Sequence, residues 1–310
     1  MRVVSASGCP FFQRGAVSSR VLGFHLSQIG IEADSFCQRF GAVVRDSPFD
    51  PYDPALAAEE HVRDHAPHVY KEHEKDWLRC WETLHETGVG TSEAPPGPAF
   101  WRRRVSARAL HTTLDEMRAY RQRCCQRYWV SPGRRQYEWQ IAHRVNRGFK
   151  QQVPDARARL RRFSGFSEDI IYDDDLLRLL GVACEVVSRA PHLKPQSFEV
   201  TTHLMLTHAG IRGSRPAPEG MHQDGANYIV SALVLERRNV EGGASVINRW
   251  RKDGPSAIDS IVLAEGQGIL QADIDSHLFH GVTAVVPRVL VGPSYRSILG
   301  FDISYSKGKL

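Results

Sequence analysis

The sequence predicts an α+β protein in which a largely helical N-terminal portion buttresses a β-rich C-terminal core. Two observations carry that expectation. Apolar residues recur at helical spacing in several stretches before residue 190. After Pro195 the rhythm changes to short apolar segments, rich in branched residues and separated by turns. With 310 residues and 42% hydrophobic content, the chain suits one large globular unit or two smaller ones. The expected division is residues 1–160 as the helical and mixed support and 161–310 as the core, built as one continuous structure.

Along the chain, residues 1–55 read as mixed, with Phe40-Gly41-Ala42-Val43-Val44 strand-like. From Ala55 to His85 the pattern is helical, with Pro67 as an interruption. Residues 88–98 hold Gly88, Gly90, Pro95, Pro96, Gly97 and Pro98 and read as a loop. Residues 107–127 read as an amphipathic helix, with Leu110, Leu114, Met117 and Tyr120 on one face, ended by Ser131-Pro132-Gly133. A further helix starts at Asp173, Asp174 and Asp175, where acids meet the positive end of the helix dipole. Leu176, Leu180, Ala183 and Val187 form its stripe, and Pro191 closes it. Strands are expected at Phe198–Thr207, Tyr228–Leu235, Ala244–Asn248, Ser260–Leu263, Gly268–Ala272, Gly281–Val286 and Ser297–Tyr305, which suits an antiparallel sandwich or barrel.

Composition narrows the function classes. Net charge is +5, and only seven of the 40 basic residues are lysine. The arginines are scattered, apart from Arg157-Ala158-Arg159-Leu160-Arg161-Arg162, so no basic-aromatic groove for nucleic acid is visible. An arginine surplus does suit a site that grips carboxylates with a planar fork. The six cysteines contain no Cys-x-x-Cys and do not read as a disulfide framework. No apolar run reaches the ~20 residues of a membrane helix, and Met1–Ser7 lacks a signal-peptide core. These features predict a soluble, cytoplasmic protein that binds neither membrane nor nucleic acid.

One segment stands apart: Pro218-Glu219-Gly220-Met221-His222-Gln223-Asp224-Gly225. On a strand, His222 and Asp224 would share a face, with Gln223 turned away. Gly225 lets the backbone crowd a bound group. Of the downstream histidines, His277 and His280 have opposite parity, and His280 shares that of Val282 and Ala284. Two imidazoles and a carboxylate make the facial set that holds Fe(II) with open positions. Arg296 leads into a buried strand, where a cation requires a partner. A bound dicarboxylate would supply it; a salt bridge with Asp302 is the alternative. Ser294 shares parity with Arg296 and offers a second hydrogen bond, whereas Arg288 follows Pro287 in a loop. Tyr228 shares parity with Asp224 and is a candidate lining residue, with core packing as the alternative. Among other features, His61 and His65 read as a solvated helix face, and at most one of His203 and His208 can face the site.

The order His222-x-Asp224, His280, Arg296 on a β-rich half resembles the 2-oxoglutarate/Fe(II)-dependent dioxygenases. The Pro218–Gly225 segment, Asn239-Val240-Glu241-Gly242-Gly243-Ala244-Ser245 and His280-Gly281-Val282-Thr283 resemble one subfamily across residues 160–305. It contains bacterial isoleucine and other free L-amino-acid hydroxylases, and fungal members that form aziridines. The resemblance implies a double-stranded β-helix, the cupin-like jelly roll, with Fe(II), 2-oxoglutarate and O2 as cofactors. It implies that His222, Asp224 and His280 ligate iron and that Arg296 anchors the distal carboxylate of 2-oxoglutarate. Many relatives in the wider superfamily carry a hydroxyl residue two positions after that arginine; here Ile298 stands there. The implied reaction oxidises an unactivated C–H of a free amino acid by hydroxylation or C–N ring closure, with succinate and CO2 as co-products. A carrier-bound or peptide substrate in secondary metabolism and a non-catalytic jelly-roll binding module are the competing expectations.

Overall fold

The computed structural model describes residues 1–6, 21–87, 97–117, 120–146, 148, 150–151, 159–190, 197–211, 213–217, 219–251, 254–274 and 276–305. In chain order the strands are β1 (Arg2–Ser5), β2 (Val21–His25), β3 (Arg121–Pro132), β4 (Glu138–Arg144), β5 (Phe198–His208), β6 (Tyr228–Arg238), β7 (Val240–Gly242), β8 (Ser245–Arg251), β9 (Gly254–Ile261), β10 (Gln267–Ala272), β11 (Leu278–Val282), β12 (Val285–Pro287) and β13 (Tyr295–Tyr305). The helices are α1 (Ala33–Arg45), α2 (Tyr52–His65), α3 (Pro67–Thr87), α4 (Pro98–Arg102), α5 (Arg108–Glu116), α6 (Glu168–Ile171) and α7 (Asp174–Ser188).

An antiparallel eight-stranded sheet runs β1-β4-β3-β5-β13-β6-β10-β2. Three strands, β11-β8-β9, form a second sheet, and β12-β7 a small third one. The large sheet draws β1 to β4 from before residue 160 and its central strands from after it.

Side-chain alternation divides the faces of the large sheet. On β13, Tyr295, Leu299, Phe301 and Ile303 join the main core, together with Phe36, Phe40 and Val44 of α1 and Leu176 and Leu180 of α7. Ile298 points the other way and packs with Ile247 of β8 and Leu278 of β11. A second face, shared with the smaller sheet, is therefore enclosed. Arg296 and Asp302 have the parity of Ile298, and β13 pairs with β5 without a register break from Tyr295 to Tyr305. A separate aromatic cluster of Tyr52, Trp77, Trp81, Phe100 and Trp101 holds α2 to α4 together.

Several local expectations are met. The helical stretch 55–85 forms α2 and α3, broken at Pro67, which opens the second helix where its missing N–H costs nothing. Asp173 caps α7, accepting the Leu176 N–H at 2.9 Å. Residues 40–44, expected as a strand, instead lie in α1. Phe36, Phe40 and Val44 recur every fourth residue, and Phe36 stacks on Phe40 at 4.3 Å. The expected helix 107–127 ends at Glu116, and β3 begins at Arg121. Buried on both faces, β3 shows no alternation, and its polar residues are matched inside the protein: Gln122 donates to Ser47 O at 2.7 Å. The expected strand 281–286 is two strands, because β11 pairs with β8 and β12 with β7. Cys37, Cys80, Cys124, Cys125 and Cys184 are unpaired, while Cys9, Pro191 and residues 88–96 lie outside the described residues. No helix among the described residues is long and apolar enough to cross a membrane.

The buried Arg121 forks onto Asp53, joining β3 to α2. Asp53→Ala is expected to lower unfolding free energy by about 3–5 kcal/mol by leaving that guanidinium uncompensated, measured by urea denaturation.

Candidate metal centre

The site is assembled by loop anchoring. The expectation that His222 and Asp224 share a strand does not hold: they lie in the turn-rich approach to β6. His222 makes one isolated antiparallel bridge with His280, each N–H donating to the other's carbonyl at 2.9 Å. The next turn folds around Asp273. Its carboxylate accepts the N–H groups of Asp224 (3.2 Å), Gly225 (2.7 Å) and Ala226 (3.1 Å). Gly225 adopts a left-handed φ of 86°, which its lack of a Cβ permits. Gln223 turns away from the site, donating to the carbonyls of Asp273 (2.7 Å) and Leu278 (2.8 Å). His280 comes from β11, paired with Ile247. His277 is exposed, with a left-handed φ of 60°.

The structure brings His222, Asp224 and His280 together, with ligand atoms all within 4.8 Å of one another. Nε2 of His222 lies 3.5 Å from Asp224 Oδ1, and Nε2 of His280 lies 3.3 Å from Oδ2. The rings of the two histidines are 4.3 Å apart. His222 Nδ1 sits 2.8 Å from the Gly220 carbonyl, so Nδ1 carries a proton and Nε2 is the nitrogen that faces the site. Burial favours neutral His222, but Asp224 outweighs it and raises the imidazole to about 9. Burial also pushes the Asp224 carboxyl up; His280 and His222 overcome this and hold it well below the usual carboxylate range. Burial, then the neighbouring Asp224, lift Asp273 to about 7. Two imidazoles and one carboxylate meeting at one point suit a divalent cation.

Arg296 is 2% exposed, and its Nε and Nη2 have no hydrogen-bond partner among the described residues. The alternative salt bridge is absent: Asp302 instead meets His203 Nε2 at 3.2 Å. Burial, then Arg237 nearby, press Arg296 down to about 9. Gly243, at a left-handed φ of 64°, lies over this side chain; a Cβ there would meet Arg296 Cδ at 2.9 Å. The guanidinium is therefore buried, strained for charge and lacking an anion. That is the condition a ligand carboxylate relieves.

The remaining candidates are placed differently. Ser294 is half-buried, and its hydroxyl accepts from Asn239 Nδ2 at 2.7 Å. Tyr228 pairs with Ile303 and packs against the main core, on the face opposite Arg296. Two residues near the site were not singled out from the sequence. Gln151 donates to Asp224 Oδ1 at 2.6 Å. Ser245 is buried, its hydroxyl unpartnered among the described residues, two positions beyond Gly243. Nothing local in the sequence marks Gln151. Ser245 ends the Asn239–Ser245 motif, just beyond the glycine turn.

Residues 109–302 match the model of a family described as 2OG-Fe dioxygenase. No curated protein sequence matches the chain. A solved structure of a BsmA homologue from Methylobium petroleophilum PM1 is 20% identical, covering 60% of this chain and 72% of its own at a TM-score of 0.50. IDO from Bacillus thuringiensis is 16% identical, covering 61% and 79% at a TM-score of 0.50. The Fe(II)/α-ketoglutarate-dependent dioxygenase TqaL is 11% identical, covering 78% and 92% at a TM-score of 0.43. At these identities the likeness to the first two speaks for the fold alone.

Two outcomes follow from the electrostatics. Metal must displace the proton on His222, so apparent Co(II) affinity is expected to rise with pH and level off near 9. A competition titration with a chromophoric chelator measures this, and a flat profile contradicts it. Gln151→Leu is expected to weaken metal binding roughly tenfold or more by releasing Asp224, read in the same titration.

Proposed function

This chain belongs to the 2OG-Fe dioxygenase family, and from that premise we propose that it oxidises an unactivated C–H bond of a free, aliphatic L-amino acid. It is an enzyme that uses Fe(II), 2-oxoglutarate and O2. In our reading His222, Asp224 and His280 hold the iron, which when loaded supplies the oxidising power and yields succinate and CO2. Arg296 takes the distal carboxylate of 2-oxoglutarate. The observation that carries this assignment is its buried guanidinium, with Nε and Nη2 unpartnered among the described residues. We give the accompanying hydroxyl contact to Ser245, whose oxygen is buried and unpartnered, rather than to Ser294, already engaged by Asn239.

We read the core as a double-stranded β-helix made mainly by residues 161–310, with 1–160 supporting it in one continuous unit. The enclosed apolar cluster between the larger sheet and β8–β11 supports this reading. That layer keeps water from the reacting carbon, while the loop clamped by Asp273 fixes where the carboxylate ligand stands. Hydroxylation and C–N ring closure share these requirements and differ only in substrate placement. The free amino acid as substrate rests on the motifs at Glu219–Gly225, Asn239–Ser245 and His280–Thr283.

The test is succinate formation by the iron-loaded enzyme with 2-oxoglutarate, across a panel of L-amino acids. Stimulation by one or a few aliphatic members is expected. A rate indifferent to every amino acid, but raised by a carrier thioester or peptide, removes the free-acid reading. Arg296→Gln is expected to raise the KM for 2-oxoglutarate about 30-fold, from loss of a charge-assisted pair. Steady-state succinate assays at varied 2-oxoglutarate measure it.

A further inference from the structure

Beside the metal centre lies a second group of buried charges with no role in holding iron or 2-oxoglutarate. Sheet register places Arg123 opposite Met205, Cys125 opposite His203, and Met205 opposite Ile298. Arg123, His203 and Asp302 therefore project from the face that carries Arg296. Arg123 Nη2 lies 3.1 Å from His203 Nδ1, and His203 Nε2 lies 3.2 Å from Asp302 Oδ2. One imidazole thus separates a guanidinium from a carboxyl group.

Arg161 adds a second cation. Its Nη2 donates to Gln151 Oε1 at 2.6 Å, and Gln151 Nε2 donates to Asp224 Oδ1 at 2.6 Å. It therefore stands two hydrogen bonds from the metal-binding carboxylate. Both guanidiniums lie over the Phe163 ring, at 4.5 Å for Arg123 and 6.0 Å for Arg161. Both arginines are buried, at 7% and 3% exposure. Two like charges in a dry site repel. Burial holds Arg161 down to about 10, with Arg123 adding to the effect, and burial keeps Asp302 well above the usual carboxylate range.

A third feature points to a ligand. Gln271 is 1% exposed, and neither amide atom has a partner among the described residues. It pairs across β6 Ile229 with Asp302, on the same face. A buried amide unmatched on both atoms is costly, and a polar ligand would supply what it lacks.

We propose that this face is the substrate subsite: Arg123 and Arg161 bind the α-carboxylate of a zwitterionic amino acid, Asp302 binds its ammonium, and Gln271 hydrogen-bonds the same polar head. The inference rests on the free-amino-acid reading above and gives it a location. The single-imidazole spacing between Arg123 and Asp302 suits charges on one α-carbon. A carrier thioester has no free α-carboxylate, and no residue of a peptide carries a free α-carboxylate and a free α-ammonium on one carbon, so the subsite excludes both.

The test uses the iron-free enzyme loaded with Mn(II) and 2-oxoglutarate, with amino-acid binding followed by calorimetry and by melting temperature. The probe is the amino acid that most stimulates wild-type succinate formation. Arg123→Met and Arg161→Met are each expected to weaken its binding about 30-fold or more, and Arg123→Lys to recover part of the loss. 2-Oxoglutarate should still raise the melting temperature of every variant, which verifies folding. Asp302→Asn should weaken the amino acid but not its des-amino acid analogue. On the wild type, which needs no variant to fold, the α-carboxamide of the probe should bind at least 30-fold worse than the acid. Undiminished binding to both arginine variants, or equal binding of acid and carboxamide, overturns the subsite. A wild type that responds to no amino acid in the succinate assay overturns the underlying reading first, and the subsite with it.

Discussion

A single buried carboxylate, that of Asp273, sets the geometry on which the centre depends. Three successive N–H groups, from Asp224, Gly225 and Ala226, converge on it. The same segment is tied by the His222–His280 bridge, by Asn227 N–H donating to Ile303 O at 3.1 Å, and by the carbonyls of Ala226 and Asn227 accepting from Ile274 (2.9 Å) and Asp273 (3.0 Å). The anchor is placed by β10, which ends at Ala272 within the large sheet. The position of the Asp224 side chain is thus inherited from sheet packing through one hydrogen-bonded turn.

The interior this creates has two electrostatic ends. At one, Arg296 is buried beneath Gly243 with no described anion. At the other, Arg123 and Arg161 crowd together near Asp302 and His203. The imidazole–carboxylate set lies with the second group, joined to it through Gln151. Buried charge is expensive, and a fold keeps it where a ligand will complete the pairing.

The strands after Pro195 were legible as short branched, apolar runs between turn residues, and helix α7 by its capped start and apolar stripe. The sequence concealed β3, whose two buried faces erase alternation, and it disguised α1, where Phe40–Val44 read as β-prone out of context. The parity argument singled out His280, yet the premise that His222 and Asp224 share a strand does not hold; a bridge and a capped turn do that work. Gln151 and Arg161 escaped because their significance lies in contacts across 73 and 10 residues of chain, which no local pattern encodes. Tyr228 shows the limit of counting by twos through irregular backbone: the turn before β6 moves it to the opposite face.

The mutual backbone bridge between His222 and His280 has a kinetic corollary. Those residues are far apart in sequence, and their meeting requires β6, β8, β10 and β11 to have docked already. Such non-local closure comes late in folding. Metal capture therefore reports completion of the native state, and on heating or dilution into denaturant the ion should depart before the helical cluster around Trp77 and Trp101 melts.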